Sequence, residues 1–88
     1  MIEEELTISN RLGIHARPAS YLVKIASRFT SKIQLRKDGA EADAKSIMSI
    51  MMLAAASGAQ VSVVVEGPDE RDAFAAVKEL FDNRFNEE

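Results

Sequence analysis

The sequence predicts an α+β domain with the element order strand, helix, strand, strand, helix, strand, helix. Three observations carry that prediction. Apolar and polar residues alternate with period two over residues 2–8, 32–36 and 61–66. Apolar positions recur at helical spacing over residues 16–29 and again after Asp69. An Asp38-Gly39 pair stands between two short segments, where positive φ at both positions suits a tight hairpin turn.

In chain order, the first strand carries Ile2, Glu4, Leu6 and Ile8 on one side and Glu3, Glu5 and Thr7 on the other, with Glu4 intruding on the apolar set. A polar loop over residues 9–14 leads to the first helix, Ala16 to Phe29. There Ala19, Leu22, Val23 and Ala26 form a stripe, and Pro18 falls in a first turn where its missing N–H costs nothing. Ile33 and Leu35 alternate with Lys32, Gln34 and Arg36 in the second strand, and the hairpin returns through Ala40 to Ala44. Val61, Val63 and Val65 mark the fourth strand, with Val64 breaking the alternation. The turn Gly67-Pro68-Asp69 opens the last helix, for which Asp69 is the predicted N-cap. Glu70 and Asp72 complement its positive end, and Phe74, Val77, Leu80 and Phe81 line its apolar face.

The helix starting near Ser46 follows another pattern. Ile47, Met48, Ile50, Met51, Met52 and Leu53 surround its axis, with little but Ser49 to interrupt them. A helix on one face of a small sheet cannot bury its whole circumference, so part of this surface is expected to face solvent and receive a partner. Methionine suits a surface that repacks against differently shaped partners, although some of these residues also serve as core.

The 88 residues allow one hydrophobic core, so residues 1–88 are expected to form a single domain that carries every functional feature. A net charge of -3 offers no general attraction to nucleic acid or to an anionic membrane surface, and neither is an expected partner. With no cysteine and one histidine, disulfides and thiolate metal sites are excluded and no metal site is expected. The acidic start, Glu3-Glu4-Glu5, is unlike a secretory signal, and no apolar run approaches the roughly 18 residues of a membrane span. A cytoplasmic protein is the expectation.

His15 is the only histidine, and it stands where a loop meets the first turn of a helix, within Gly13-Ile14-His15-Ala16-Arg17-Pro18-Ala19. A lone histidine is weak information. Its position adds the rest, because a helix N-terminus presents unpaired N–H groups and partial positive charge, a ready site for phosphate. Arg17 adds a guanidinium that forms charge-assisted hydrogen bonds with phosphate oxygens and does not titrate at cellular pH. His15 and Arg17 are therefore the candidate reactive residues, with Ala16, Arg17 and Pro18 as the phosphate cradle.

The run Asn10-Arg11-Leu12-Gly13-Ile14-His15-Ala16-Arg17-Pro18-Ala19 resembles the active-site signature of the HPr family, the phosphocarriers of the bacterial phosphoenolpyruvate-dependent phosphotransferase system. Lys45-Ser46-Ile47-Met48 resembles the family's regulatory serine segment, and the similarity extends over essentially the whole chain. The resemblance implies an HPr-like open-faced β-sandwich (βαββαβα), a four-stranded antiparallel sheet with three helices on one face. It also implies that enzyme I phosphorylates His15 at Nδ1 and that an enzyme IIA receives the phosphoryl group. The chain would then be a stoichiometric carrier, with no cofactor and no enzymatic activity of its own.

Ser46 reads first as the N-cap of the apolar helix. Resemblance to the family adds a second role, as a phosphorylation site for an HPr kinase/phosphorylase. A phosphate there would place negative charge beside Ile47, Met48 and Met51, the expected partner-docking residues, and weaken docking. Lys24 and Arg28, on the exposed side of the first helix and near the His15 end as the family would arrange it, are further candidates for steering acidic partners. A monomer is expected, because the apolar patch must stay available to successive partners.

The sequence also carries other readings. The carboxyl-terminal run over residues 80–88 resembles the nitrogen-related branch of the family, whereas Lys45-Ser46-Ile47-Met48 resembles carriers of the sugar branch controlled by a serine kinase. A small-molecule-binding regulatory domain and a regulator acting only through Ser46 are the readings from other classes.

Overall fold

The structure is a computed structural model that describes residues 1–86, so Glu87 and Glu88 of the carboxyl-terminal run lie outside the described residues. The elements are β1 (Ile2–Thr7), α1 (Ala16–Ala26), β2 (Lys32–Lys37), β3 (Ala40–Asp43), α2 (Ile47–Met52), β4 (Gln60–Glu66) and α3 (Glu70–Asp82), followed by a short turn over Arg84–Asn86. The strands form one antiparallel sheet of order β1-β4-β2-β3.

Alternation decides which sheet face is covered. Leu6, Ile33, Leu35, Ala42, Val61, Val63 and Val65 point into one core with Ala19, Leu22 and Ala26 of α1 and Ala73, Val77, Leu80 and Phe81 of α3. The other face carries Glu3, Glu5, Gln34, Arg36, Glu41 and Ser62 and is open, as the expected open-faced sandwich requires. Val64 is buried yet stands outside that core, because its register places it between Glu3 of β1 and Gln34 of β2 on the open face. Glu4 shares the register of Ile2 and Leu6, and as a residue of an edge strand it remains exposed.

The hairpin forms as expected, with φ of 51° at Asp38 and 82° at Gly39. Helix α1 is shorter than its periodicity suggests and stops at Ala26. The N–H groups of Arg28 and Phe29 bond three residues back, to Ile25 and Ala26, so the chain tightens out of the helix, and Lys45 Nζ donates to the Phe29 carbonyl at 2.8 Å.

Asp69 occupies the cap position of α3, but its side chain does not cap that helix, which corrects the expectation. Its carboxylate instead accepts from the backbone N–H groups of Thr30 and Ser31, each at 2.9 Å, and from both hydroxyls. Beside it, a Cβ on Gly67 would fall 2.5 Å from Ser31 Oγ, so only glycine lets the β4–α3 turn close onto the α1–β2 link. At the far end of α3, Arg84, Phe85 and Asn86 all take φ between 54° and 61°. That left-handed turn delivers Phe85 into the core, with its ring centroid 4.6 Å from that of Phe81.

Candidate functional site

The loop before α1 is built around Gly13. Its φ is +74°, and a Cβ there would lie 2.7 Å from the Ala55 carbonyl oxygen, so the position excludes any side chain. Ile14 is buried and donates its N–H to the same Ala55 carbonyl at 2.9 Å, which docks the loop onto the segment following α2. Asn10, wholly buried, donates from Nδ2 to the Gly13 carbonyl at 2.6 Å.

His15 follows as the N-cap residue of α1, in extended backbone conformation, with its carbonyl accepting the first helical bond from Ala19 at 3.0 Å. The residue is half-buried and its Nε2 is withdrawn from solvent. Ala16 and Arg17 are exposed in the first turn, where their N–H groups have no acceptor within the helix, and Pro18 packs inward without an N–H to satisfy. The 11-residue helix therefore begins with its positive end, two N–H groups without a helical acceptor and the exposed Arg17 side chain all within two residues of His15. That arrangement can hold a phosphate dianion.

Helix α2 runs back along α1. Its start is tied to the end of α1 through Lys45 and Phe29, and its end leads to Ala55 beneath Gly13. Ser46 caps α2 as expected, its hydroxyl accepting from the Ser49 N–H at 3.3 Å. Only Ile50 of the helix is buried, while Ile47, Met48, Met51 and Met52 are exposed. An apolar strip thus lies between Ser46 at one end and the His15 loop at the other.

Lys24 and Arg28 are exposed, but not at the His15 end. Lys24 is in the last turn of α1, about 12 Å along its axis from Ala16, and Arg28 lies in the turn beyond. Helical rise carries them away from the imidazole and towards the Lys45 and Ser46 end. A cleft on the opposite side, lined by Glu5, Arg36, Lys37, Glu41 and Gln60 among others, contains none of the predicted phosphate-binding residues. Sequence reasoning missed the anchoring role of Asn10. Its place five residues before His15, in a loop between apolar segments, was the available signal.

A family profile described as the PTS HPr component phosphorylation site matches residues 2–83. Phosphocarrier protein HPr of Treponema pallidum (strain Nichols) is 49% identical over 88 residues, covering 100% of both chains. Phosphocarrier protein NPr of Escherichia coli (strain K12) is 41% identical over 88 residues, covering 99% of this chain and 98% of the relative. The crystal structure of HPr-C-His from Thermoanaerobacter tengcongensis superimposes with a TM-score of 0.95 at 43% identity, covering 100% of this chain and 99% of that one. Family profile, full-length relatives and sheet topology agree with the loop and helix geometry around His15, and the chain belongs to the HPr family.

Proposed function

We propose that the protein is a stoichiometric phosphocarrier, accepting a phosphoryl group on His15 from phospho-enzyme I and passing it to an enzyme IIA in the cytoplasm. The observation that carries this reading is the half-buried His15 at the N-cap of α1, where the positive helix end, two first-turn N–H groups and the exposed Arg17 follow within two residues. Resemblance to the family implies Nδ1 as the acceptor, and the withdrawal of Nε2 from solvent supports that choice. Its lone pair forms the new bond to phosphorus as the bond to the donor breaks, and the Nε2 proton stays on the ring. Arg17 and the N–H groups of Ala16 and Arg17 meet the charge of about -2 on the phosphate after transfer. The cradle holds rather than hydrolyses, and the acceptor protein collects the group by the reverse displacement.

Ile47, Met48 and Met51 form the docking surface in this reading, and Lys24 and Arg28 steer acidic partners at its Ser46 end. Ser46 is the regulatory site for an HPr kinase/phosphorylase, because a phosphate on the cap would charge the edge of the apolar strip. The protein acts as a monomer, with that strip free for each partner in turn. We assign it to the sugar-transport branch on the Lys45-Ser46-Ile47-Met48 segment. The 41% identity with the NPr protein favours a second reading, the nitrogen-related branch, and competition between enzyme I paralogues for the carrier separates the two.

The test is incubation of the parent and of His15→Ala with a bacterial enzyme I, magnesium and phosphoenolpyruvate, followed by intact mass and acid treatment. One acid-labile phosphate on the parent and none on the variant is expected. An unlabelled parent, with the same enzyme I competent on a known carrier and a cognate enzyme I also tried, overturns the proposal.

A further inference from the structure

Transfer to His15 needs the ring held in one place relative to the first turn of α1, and one buried side chain is placed to do so. Asn10 and Ser31 are the buried polar residues among those described, and Asn10 has no exposed surface at all. A buried amide is destabilising when its hydrogen bonds are not made, so an apolar residue would be the simpler occupant of this position. What Asn10 supplies instead is a grip on one peptide unit. Its Nδ2 donates to the Gly13 carbonyl at 2.6 Å, and the N–H of the same peptide, on Ile14, donates to the Ala55 carbonyl at 2.9 Å. The Gly13 N–H returns a bond to the Asn10 carbonyl at 3.3 Å, closing residues 10–13 into a loop. The Gly13-Ile14 peptide plane is thereby held at both its oxygen and its nitrogen, one residue before His15.

We infer that Asn10 is a positioning residue for phosphoryl transfer: by fixing the Gly13-Ile14 peptide plane it sets the His15 ring against the Ala16 and Arg17 N–H groups. This rests on the reading of His15 as the acceptor. Asn10 is wholly buried and presents no surface to a partner, so its removal is expected to leave docking intact and to lower the rate within the complex. Near-attack geometry is sensitive to displacements of about 1 Å, which sets the scale of the effect. A residue acting only on stability would change the unfolding midpoint and leave the folded protein's transfer rate alone.

The experiment compares the parent with Asn10→Ala and Asn10→Ser in steady-state phosphorylation by enzyme I and phosphoenolpyruvate, well below each unfolding midpoint. The imidazole nitrogen resonances of His15 are recorded alongside. Asn10→Ala is expected to lower kcat about 10-fold with KM for the carrier changed less than about 2-fold, and to shift the His15 resonances. Asn10→Ser keeps a donor one bond shorter than the amide and is expected to recover part of the rate. A folded Asn10→Ala with parental kcat and parental imidazole resonances overturns the inference. If Asn10→Ala does not fold, Asn10→Ser and Asn10→Cys decide it, since thiol and hydroxyl are similar in size but the thiol is a weak donor. Equal kcat for those two overturns the inference, and a slower cysteine variant supports it. An unlabelled parent removes the acceptor reading itself, whereas a labelled parent with an unaltered Asn10→Ala removes only the role of Asn10.

Discussion

The α-carbon of Gly13 lies against the Ala55 carbonyl so closely that an added Cβ would be 2.7 Å from the oxygen. The same glycine has φ of +74°, so Gly13→Ala meets both a contact and a conformational penalty. The loop cannot relieve one without moving, because the Ile14 N–H is bound to the same carbonyl. Gly13→Ala is expected to lose about 1–3 kcal/mol of stability in urea denaturation. Its phosphorylation rate should fall as well, even at temperatures where it is fully folded. A variant with parental stability and rate would mean that the loop is not held against Ala55.

Arg17 is exposed in the first turn of α1, and in the proposed function its charge serves the phosphate more than the fold. Arg17→Ala is expected to change stability by less than about 0.5 kcal/mol while lowering the rate of phosphoryl transfer about 10-fold to 100-fold. Arg17→Lys should restore part of the loss, because an ammonium keeps the charge without the bidentate fork. Stopped-flow or quench-flow transfer from phospho-enzyme I, paired with thermal unfolding, checks both halves.

At Ser46 the cap and the proposed modification are separable by substitution. Ser46→Ala loses the hydrogen bond from the Ser49 N–H and is expected to cost about 1 kcal/mol, and an HPr kinase/phosphorylase should leave it unlabelled. Ser46→Asp keeps a good capping group but places charge beside Ile47 and Met48, both exposed. Calorimetric titration with enzyme I should show weaker binding for Ser46→Asp than for Ser46→Ala. Equal labelling of parent and Ser46→Ala would remove this site.

Asp69 ties stability to acid pH. The Ser31 hydroxyl, then the Thr30 backbone N–H and further bonds from both residues, hold its carboxyl at about 2, below the ordinary value of 3.8. The folded state therefore favours the ionised form. The resulting stabilisation is complete above about pH 4 and disappears as pH falls through about 2. Asp69→Asn is expected to destabilise the protein at neutral pH and to flatten its loss of stability between pH 4 and pH 2. Urea denaturation across that range checks the sign, and a parent and variant with parallel acid limbs would refute it.

Most of the architecture was legible because it depends on local periodicity. Alternation in β2 and β4, the helical stripe of α1 and the Asp38-Gly39 turn each report the conformation of their own segment. The motif around His15 was legible for the same reason, since a cap position, a first-turn arginine and a proline are neighbours in sequence. What failed were inferences that needed a partner from elsewhere in the chain. Asp69 reads locally as a cap, but the approach of Thr30 and Ser31 gives its carboxylate four donors that a helix end does not supply.

The sequence by itself determined the element order, the candidate phosphate site at the start of α1 and the apolar surplus of α2, because each follows from spacing within one segment. Tertiary structure decided which parts of that surplus are exposed, where Lys24 and Arg28 stand and what anchors the loop before His15. It brought Ala55 against the loop that Asn10 and Gly13 close locally, and the hydrogen bond from Ile14 to Ala55 exists only once the segment after α2 reaches the start of α1. The physical reason is range: backbone propensity acts over a few residues, whereas burial and hydrogen bonding act on whatever the fold makes adjacent.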